Sequence, residues 1–237
     1  MSNRSASHPV PQPVTGNPSR AVHFRAMVRE DWPALFELSR VIWYADSEEI
    51  ADEEVQLLAS IIDISLLLKR TTAGVVALDD ETERIIGVVC VAGGEPPPRR
   101  VQGWHEVDIA KALERGAQIG TERGDDTGAQ LGAFEAEMRR YLEEMRTHLD
   151  KAYDGEVTLL LVEPTYQGLG IGRQLLERGL AWLHEQSCAT VFLDTDNTCN
   201  YPFYEHLGWK RVSEFDADLT IFGTLHETVE YLYESPE

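Results

Sequence analysis

Apolar and polar positions along the chain fall into blocks of two periods. "AVHFRAMV" (21–28) alternates and is rich in β-formers, which predicts a first strand. "EDWPALFELSRVIW" then changes to helical spacing, with Asp31 as N-cap, Pro33 in the first turn, and Trp32, Leu35, Leu38 and Ile42 on one face. The acidic stretch "ADSEEIADEEV" is predicted to open a second helix that continues through "QLLASIIDISLLLK". "AGVVALDD" and "RIIGVVCVAG", separated by the polar turn "ETE", predict a hairpin. The connector "GGEPPPRR" breaks the pattern, and residues 94–155 read as helical in "EVDIAKALERGAQ" and "LGAFEAEMRRYLEEMRTHLDKAY". In the latter, Leu131, Phe134, Met138, Tyr141 and Met145 form an apolar stripe suited to packing.

Beyond the helical stretch, "EVTLLLVEP" is almost continuously apolar, as in a strand covered on both faces. A helix, "RQLLERGLAWLHEQ", carries Leu175, Leu176, Gly179, Leu180 and Leu183 on one face. "ATVFLDTD" is a further strand, "TCNYPFYEHLGW" a short helix closed by Gly208, and "KRVSEF" and "TVEYLYE" the final strands.

Composition narrows the class. The chain has 237 residues, enough for one domain with an insertion, and 43% of them are hydrophobic. There is no apolar run of bilayer length. The first twenty residues, rich in Ser and Pro, read as a disordered tail without the apolar block of a signal peptide. Cys90, Cys188 and Cys199 suggest neither a disulfide framework nor a metal site, so a reducing cytoplasm is expected, with Cys90 and Cys188 as buried thiols. A net charge of −20 argues against nucleic acid as a partner. It either steers a cationic substrate or serves solubility.

Candidate chemistry centres on "VEPTYQGLGIGRQLL", where Gly168, Gly170 and Gly172 alternate between an apolar strand and a helix. A tight turn needs only one glycine. A dinucleotide fingerprint needs G-x-G-x-x-G, but the third glycine comes one residue early and Arg173 stands where Gly or Ala is required, although a strand ending at Asp194 follows. The third reading is a diphosphate cradle, in which the exposed amides of Leu169 to Arg173 meet phosphate oxygens at a helix N-terminus.

The stretch resembles motif A of the GNAT family of N-acetyltransferases, Q/R-x-x-G-x-G/A. Gln167, Gly170 and Gly172 match, with Gly168, Leu169, Ile171 and Arg173 as the remaining loop residues. "NTCNYPFYEHLGW" is similar to the family's N-x-x-A-x-x-F-Y-x-x-x-G-F. Asn197, Phe203, Tyr204 and Gly208 match, while Asn200 replaces Ala and Trp209 replaces Phe. The resemblance implies an α/β fold: a mixed, mostly antiparallel sheet with one splayed parallel pair, flanked by helices. The resemblance covers roughly 21–93 and 156–233 as architecture and 156–212 by motif, within a single domain expected at 21–237 after the 1–20 tail, and 94–155 is a helical insertion outside the family core.

The resemblance also implies acetyl-coenzyme A as cosubstrate. Its pantetheine arm would lie in the split between strands 156–163 and 190–196, against main-chain amides near Leu161, Val162 and Glu163. Asn197 and Asn200 would order the cosubstrate, with a helix N-cap as the alternative for Asn197. Tyr204 would protonate the departing thiolate, with a core aromatic as its alternative. Glu156 is the candidate base, at a spacing from the loop where some family members place one. The alternatives are a solvated strand-entrance residue there, Glu163, or a water chain; His148 and His206 are further candidates, though a lone histidine is more often a surface or structural residue.

The implied acceptor is a primary amine of a small molecule or a basic peptide. Asp46, Glu48, Glu49, Asp52, Glu53 and Glu54 would attract it, unless they simply complement a helix dipole. The insertion either covers the acceptor site, with Trp104 and Tyr141 lining it, or forms a homodimer contact. A non-catalytic coenzyme A sensor, or an acyltransferase using another acyl group or a hydroxyl acceptor, are the competing functions.

Overall fold

The computed structural model describes residues 21–94 and 104–236, and side chains in all of these except Trp104. The tail expected at 1–20, most of the Pro-rich connector and the Trp104 side chain therefore lie outside the described residues. Seven strands form one sheet in the order β1-β2-β3-β4-β5-β7-β6. They are β1 (Val22–Ala26), β2 (Ala73–Asp79), β3 (Ile85–Gly93), β4 (Gly155–Val162), β5 (Val191–Asp196), β6 (Lys210–Ile221) and β7 (Thr224–Glu234). Every pairing is antiparallel except β4 with β5.

Side-chain alternation along the strands divides the apolar residues between two faces. On one face pack α1 (Trp32–Ser39), α2 (Glu53–Leu68), α3 (Trp104–Arg123) and α4 (Thr127–Met145), around Leu35, Ile62, Ile64, Val88, Cys90, Leu131 and Phe134. On the other lies α5 (Ile171–Glu185), whose Ile171, Leu175, Leu176 and Leu183 meet Val89, Val91, Val157 and Leu193. Gly179 lets α5 sit close to β3, since a Cβ there would stand 3.0 Å from Val91 Cγ1. The short α6 (Pro202–His206) follows β5.

Four elements depart from the sequence pattern. Only the last three residues of the acidic stretch open the second helix: α2 begins at Glu53, where Asp52 caps it by accepting from Val55 N at 3.0 Å. Residues before Asp52 instead follow a π-helical turn, Arg40–Tyr44, that prolongs α1. The second insertion helix stops at Met145 rather than running to 153, and a short turn at Arg146–His148 follows. The last two strands are longer than their apolar runs, because β6 and β7 pair with each other from Lys210↔Glu234 to Ile221↔Thr224. Ladder hydrogen bonds, not side-chain periodicity, carry that extension.

Candidate active site

The parallel pair supplies the central geometry. β4 and β5 are in register only at Gly155↔Val191, Glu156↔Phe192 and Val157↔Leu193. β4 then continues to Val162 and β5 to Asp196 without further pairing between them. The Glu163 amide donates to Ile86 O at 2.8 Å, toward β3. Amides alternate along a strand, so Leu161 also faces β3, while Leu160 and Val162 direct theirs into the split. Of the three residues expected to offer amides there, Val162 is the one whose N–H faces it.

The glycine loop stands at the end of this split. Tyr166 is fixed beneath it: its hydroxyl donates to Asp79 Oδ2 at 2.7 Å, and its amide to Glu163 O at 2.9 Å. Gly168 and Gly170 adopt φ of 79° and 74°, a left-handed conformation that an L side chain strains to reach. The first helical rung of α5 runs from Gln174 N to Gly170 O at 3.1 Å. Among the described residues, no carbonyl accepts from the amides of Gly168, Leu169, Gly170, Ile171, Gly172 or Arg173. The loop from Gln167 to Gly170 is exposed, and a Cβ on Gly168 or Gly170 would meet nothing within 4 Å. A row of free donors at the positive end of a fifteen-residue helix has the donors and the dipole that suit an anion. Arg173 pairs with Glu177 at 2.7 Å, so it does not close the loop.

Residues 131–209 match the family model "Acetyltransferase (GNAT) family". That stretch, a third of the chain, is similar to the GNAT family of acetyltransferases. Two curated relatives are both described as mycothiol acetyltransferase. The one from Salinispora tropica is 40% identical over 62 residues, 25% of this chain and 20% of that protein. The one from Geodermatophilus obscurus is 42% identical over 59 residues, 24% of this chain and 19% of that protein. The match thus spans about a fifth of the length of these relatives. Among solved structures, Arabidopsis thaliana NAA60 in complex with a bisubstrate analogue shares the fold. Its TM-score is 0.50 at 15% identity, over 90% of this chain and 97% of that one. The mixed sheet with a single parallel pair is the architecture shared with that structure.

The other motif residues fall on both sides of the split. Tyr204, on α6, packs its ring against Phe203, Tyr233 and Trp209 at centroid distances of 5.2, 5.9 and 6.2 Å. Among the described residues its hydroxyl has no protein partner. Burial, together with Cys199, Asp194 and Tyr233, pushes the phenol well above its ordinary range. Asn197 prolongs the β5–β7 ladder: its amide donates to Val229 O at 2.9 Å, and its Oδ1 accepts from Val229 N at 3.2 Å. It caps no helix; the turn before α6 is held by Asp196 Oδ1, which accepts from Thr198 N and Cys199 N. Asn200 is exposed, and its carbonyl accepts from Phe203 N at 3.1 Å.

Glu156 is not at a solvated strand entrance. It is 3% exposed, with Arg70 Nη2 at 2.8 Å from Oε1 and Arg146 bonded to Oε2. Burial pushes its carboxyl up, against the pull of the two arginines. Glu163 pairs with Arg84 at 2.5 Å and accepts from Thr165 at 2.8 Å. His148 stacks on Phe215 at 3.8 Å, and His206 Nδ1 lies 2.6 Å from Pro202 O. Part of the acidic stretch is answered within the chain: Asp52 by Arg123 and Glu54 by Arg115, with Glu49 Oε1 3.6 Å from His226 Nε2.

One cluster had no motif to announce it. Tyr141 of the insertion donates to Glu230 Oε2 at 2.8 Å and reaches Asp194 Oδ2 at 3.5 Å. Asp194 is the first β5 residue beyond its pairing with β4. The only sequence trace is a carboxylate interrupting each of two apolar strands, "VFLDTD" and "TVEYLYE".

Proposed function

We propose that this protein transfers an acetyl group from acetyl-coenzyme A to a primary amine in a ternary complex. The observation that carries the reading is the row of unpaired amides from Gly168 to Arg173, set beside a β4 edge that no strand covers. The residues present fit the cosubstrate: free donors and open space at the loop suit a diphosphate, and the Leu160 and Val162 amides suit an extended amide-bearing arm. Acetyl transfer is also what the names of the matched relatives state for those proteins.

When bound, the cosubstrate supplies an activated acetyl thioester. The chain's part is to bind, orient and move protons. The cradle offsets the diphosphate charge locally, which reconciles anion binding with a net charge of −20. The Val162 amide points where it could polarise a carbonyl in the split. Tyr204 offers its hydroxyl to the departing sulfur. Because its phenol is held above the ordinary range, full donation to a thiolate is uphill. The residue therefore works as a relay, passing a proton to sulfur while it receives one from the amide-forming nitrogen.

The test is binding of coenzyme A by calorimetry, with turnover of acetyl-coenzyme A over a panel of alkyl amines, polyamines and peptide N-termini. Tyr204→Phe should keep coenzyme A affinity and lose ~10-fold or more in turnover, the scale of a missing acid–base group. Tight binding without turnover of any amine would leave a coenzyme A sensor. Turnover confined to alcohols or to a longer acyl group would redirect the acceptor or donor.

A further inference from the structure

We propose that Asp194 and Glu230, linked through Tyr141, form the carboxylate pair that takes the proton from a cationic amine before transfer. Tyr141, from the helical insertion, is the positioning residue. The proposal rests on the acetyl-transfer reading above and names the acceptor as an amine that arrives protonated.

Topology puts the pair at the split. Asp194 stands where β5 leaves β4, and Asp196, two residues on and on the same face, is in register with Glu230 of β7. This face of the sheet otherwise carries Phe192 and Leu232, packed with Met145. Glu230 is 3% exposed, in a place where an apolar side chain would cost nothing to bury. Tyr141 donates to it at 2.8 Å, and Thr228 Oγ1 donates to its other oxygen at 3.1 Å. Tyr204, whose hydroxyl lacks a protein partner, feels the Asp194 charge. Tyr204 packs on the opposite face of the sheet, with Tyr233 and Trp209, so proton acceptor and proton relay flank the β4–β5 split from its two faces.

Charge points to the ligand. Facing Glu230 are Tyr141 from α4, Asp194 and Asp196 from β5, Thr228 from its own strand and, in register on β6, Phe215. Facing Asp194 are Glu156 from β4, Tyr141, and Arg70 and Arg146. Four carboxylates therefore meet two guanidiniums, both of which pair with Glu156. A protonated amine supplies the positive charge this corner lacks. Burial and the two aspartates push Glu230 up to about 7, so near neutral pH it is ionised in part and can accept a proton. The two acids titrate as a unit.

The step balances. The ammonium gives one proton to the carboxylate pair and becomes a neutral amine. Its lone pair forms the C–N bond, and the C–S bond breaks with its electrons on sulfur. Sulfur takes the Tyr204 proton, and nitrogen returns one to the Tyr204 oxygen. The carboxyl then releases its proton to water. An amide and a thiol result.

The pH dependence of kcat at saturating acetyl-coenzyme A, with phenethylamine, spermidine or a tripeptide, tests this in the full chain. The Tyr141 hydrogen bond favours the ionised carboxylate. Tyr141→Phe should therefore move the acid limb to higher pH, with kcat reduced severalfold near pH 7 and recovered near pH 9. Coenzyme A affinity should stay unchanged. Glu230→Gln should lower kcat ~10-fold or more and abolish that limb. A limb unmoved in Tyr141→Phe, or a wild-type profile in Glu230→Gln, overturns the proposal while leaving acetyl transfer intact. Absence of amine turnover in the wild type, with coenzyme A bound, overturns the underlying reading and this one with it. If Glu230→Gln does not fold, the limb position in Tyr141→Phe decides alone.

Discussion

Gly170→Ala separates the geometry of the cradle from its mere presence. Gly170 holds φ 74° and ψ 10° immediately before α5, and a Cβ there would touch nothing. The cost is therefore backbone strain and not collision, about 1–2 kcal/mol for an L residue in the left-handed region. In a domain of this size each kcal/mol lowers Tm by roughly 2–4 °C. If the loop escapes the strain by returning to negative φ, at least one amide of the row turns away. An amide bond to a charged oxygen contributes ~1.5–3 kcal/mol, so coenzyme A affinity should fall about 10- to 100-fold. Gly172→Ala is the control. Its φ is ordinary, its Cβ would meet Phe203 Cζ and Val162 Cγ2 at a comfortable 3.6 Å, and it lies within the helix. It should keep affinity and gain ~0.5–1 kcal/mol of stability. Calorimetric titration with coenzyme A and thermal melts of both variants make the comparison. A Gly170→Ala protein with lowered Tm but unchanged affinity, or a greater affinity loss in Gly172→Ala, would refute the cradle argument.

Two predictions concern pH and stability. Asp63, buried with only the Tyr44 hydroxyl donating at 2.8 Å, is pushed up to about 6 by desolvation. Its folded-state value exceeds the unfolded one, so the carboxyl costs stability as pH rises from about 4 through 6. Asp63→Asn should be near neutral below pH 4 and more stable by up to ~2–3 kcal/mol at pH 8 in urea titrations; equal effects at both pH values would refute this. Asp79 has the opposite sign. The Tyr166 hydroxyl, the Thr82 amide and hydroxyl, and the Glu81 amide hold it down at about 2. Its contribution is present above pH 4 and disappears as pH falls toward 2. Asp79→Asn should be less stable at pH 7 and show a flatter acid limb. An acid limb as steep as the wild type's would place the acid sensitivity elsewhere.

Much of the fold was legible in the chain because local periodicity reports which face is buried. "EVTLLLVEP" predicted a strand buried on both faces, and β4 is one, with Leu159 and Leu161 in the core under α1–α4 and Val157 in the core under α5. The α5 face predicted at Leu175, Leu176, Gly179, Leu180 and Leu183 is the packed one, with Leu180 only partly buried. The acidic start of α2 was misread because helix propensity tolerates Glu and Asp in a first turn, while the true boundary is set by the Asp52 cap.

The site divides along the same physical line. Sequence alone determined the glycine loop, since positive φ and free amides ahead of a helix are local properties of a few consecutive residues. It also determined that Tyr204 lies on a short helix after β5. Only the tertiary structure decided that Glu156 is enclosed by Arg70 and Arg146, that β4 and β5 part after three residue pairs, and that Tyr141 meets Glu230 and Asp194. Apart from Arg146 and Glu156, those contacts join residues tens of positions apart. Nothing in the spacing of one segment encodes the charge that another segment will bring against it.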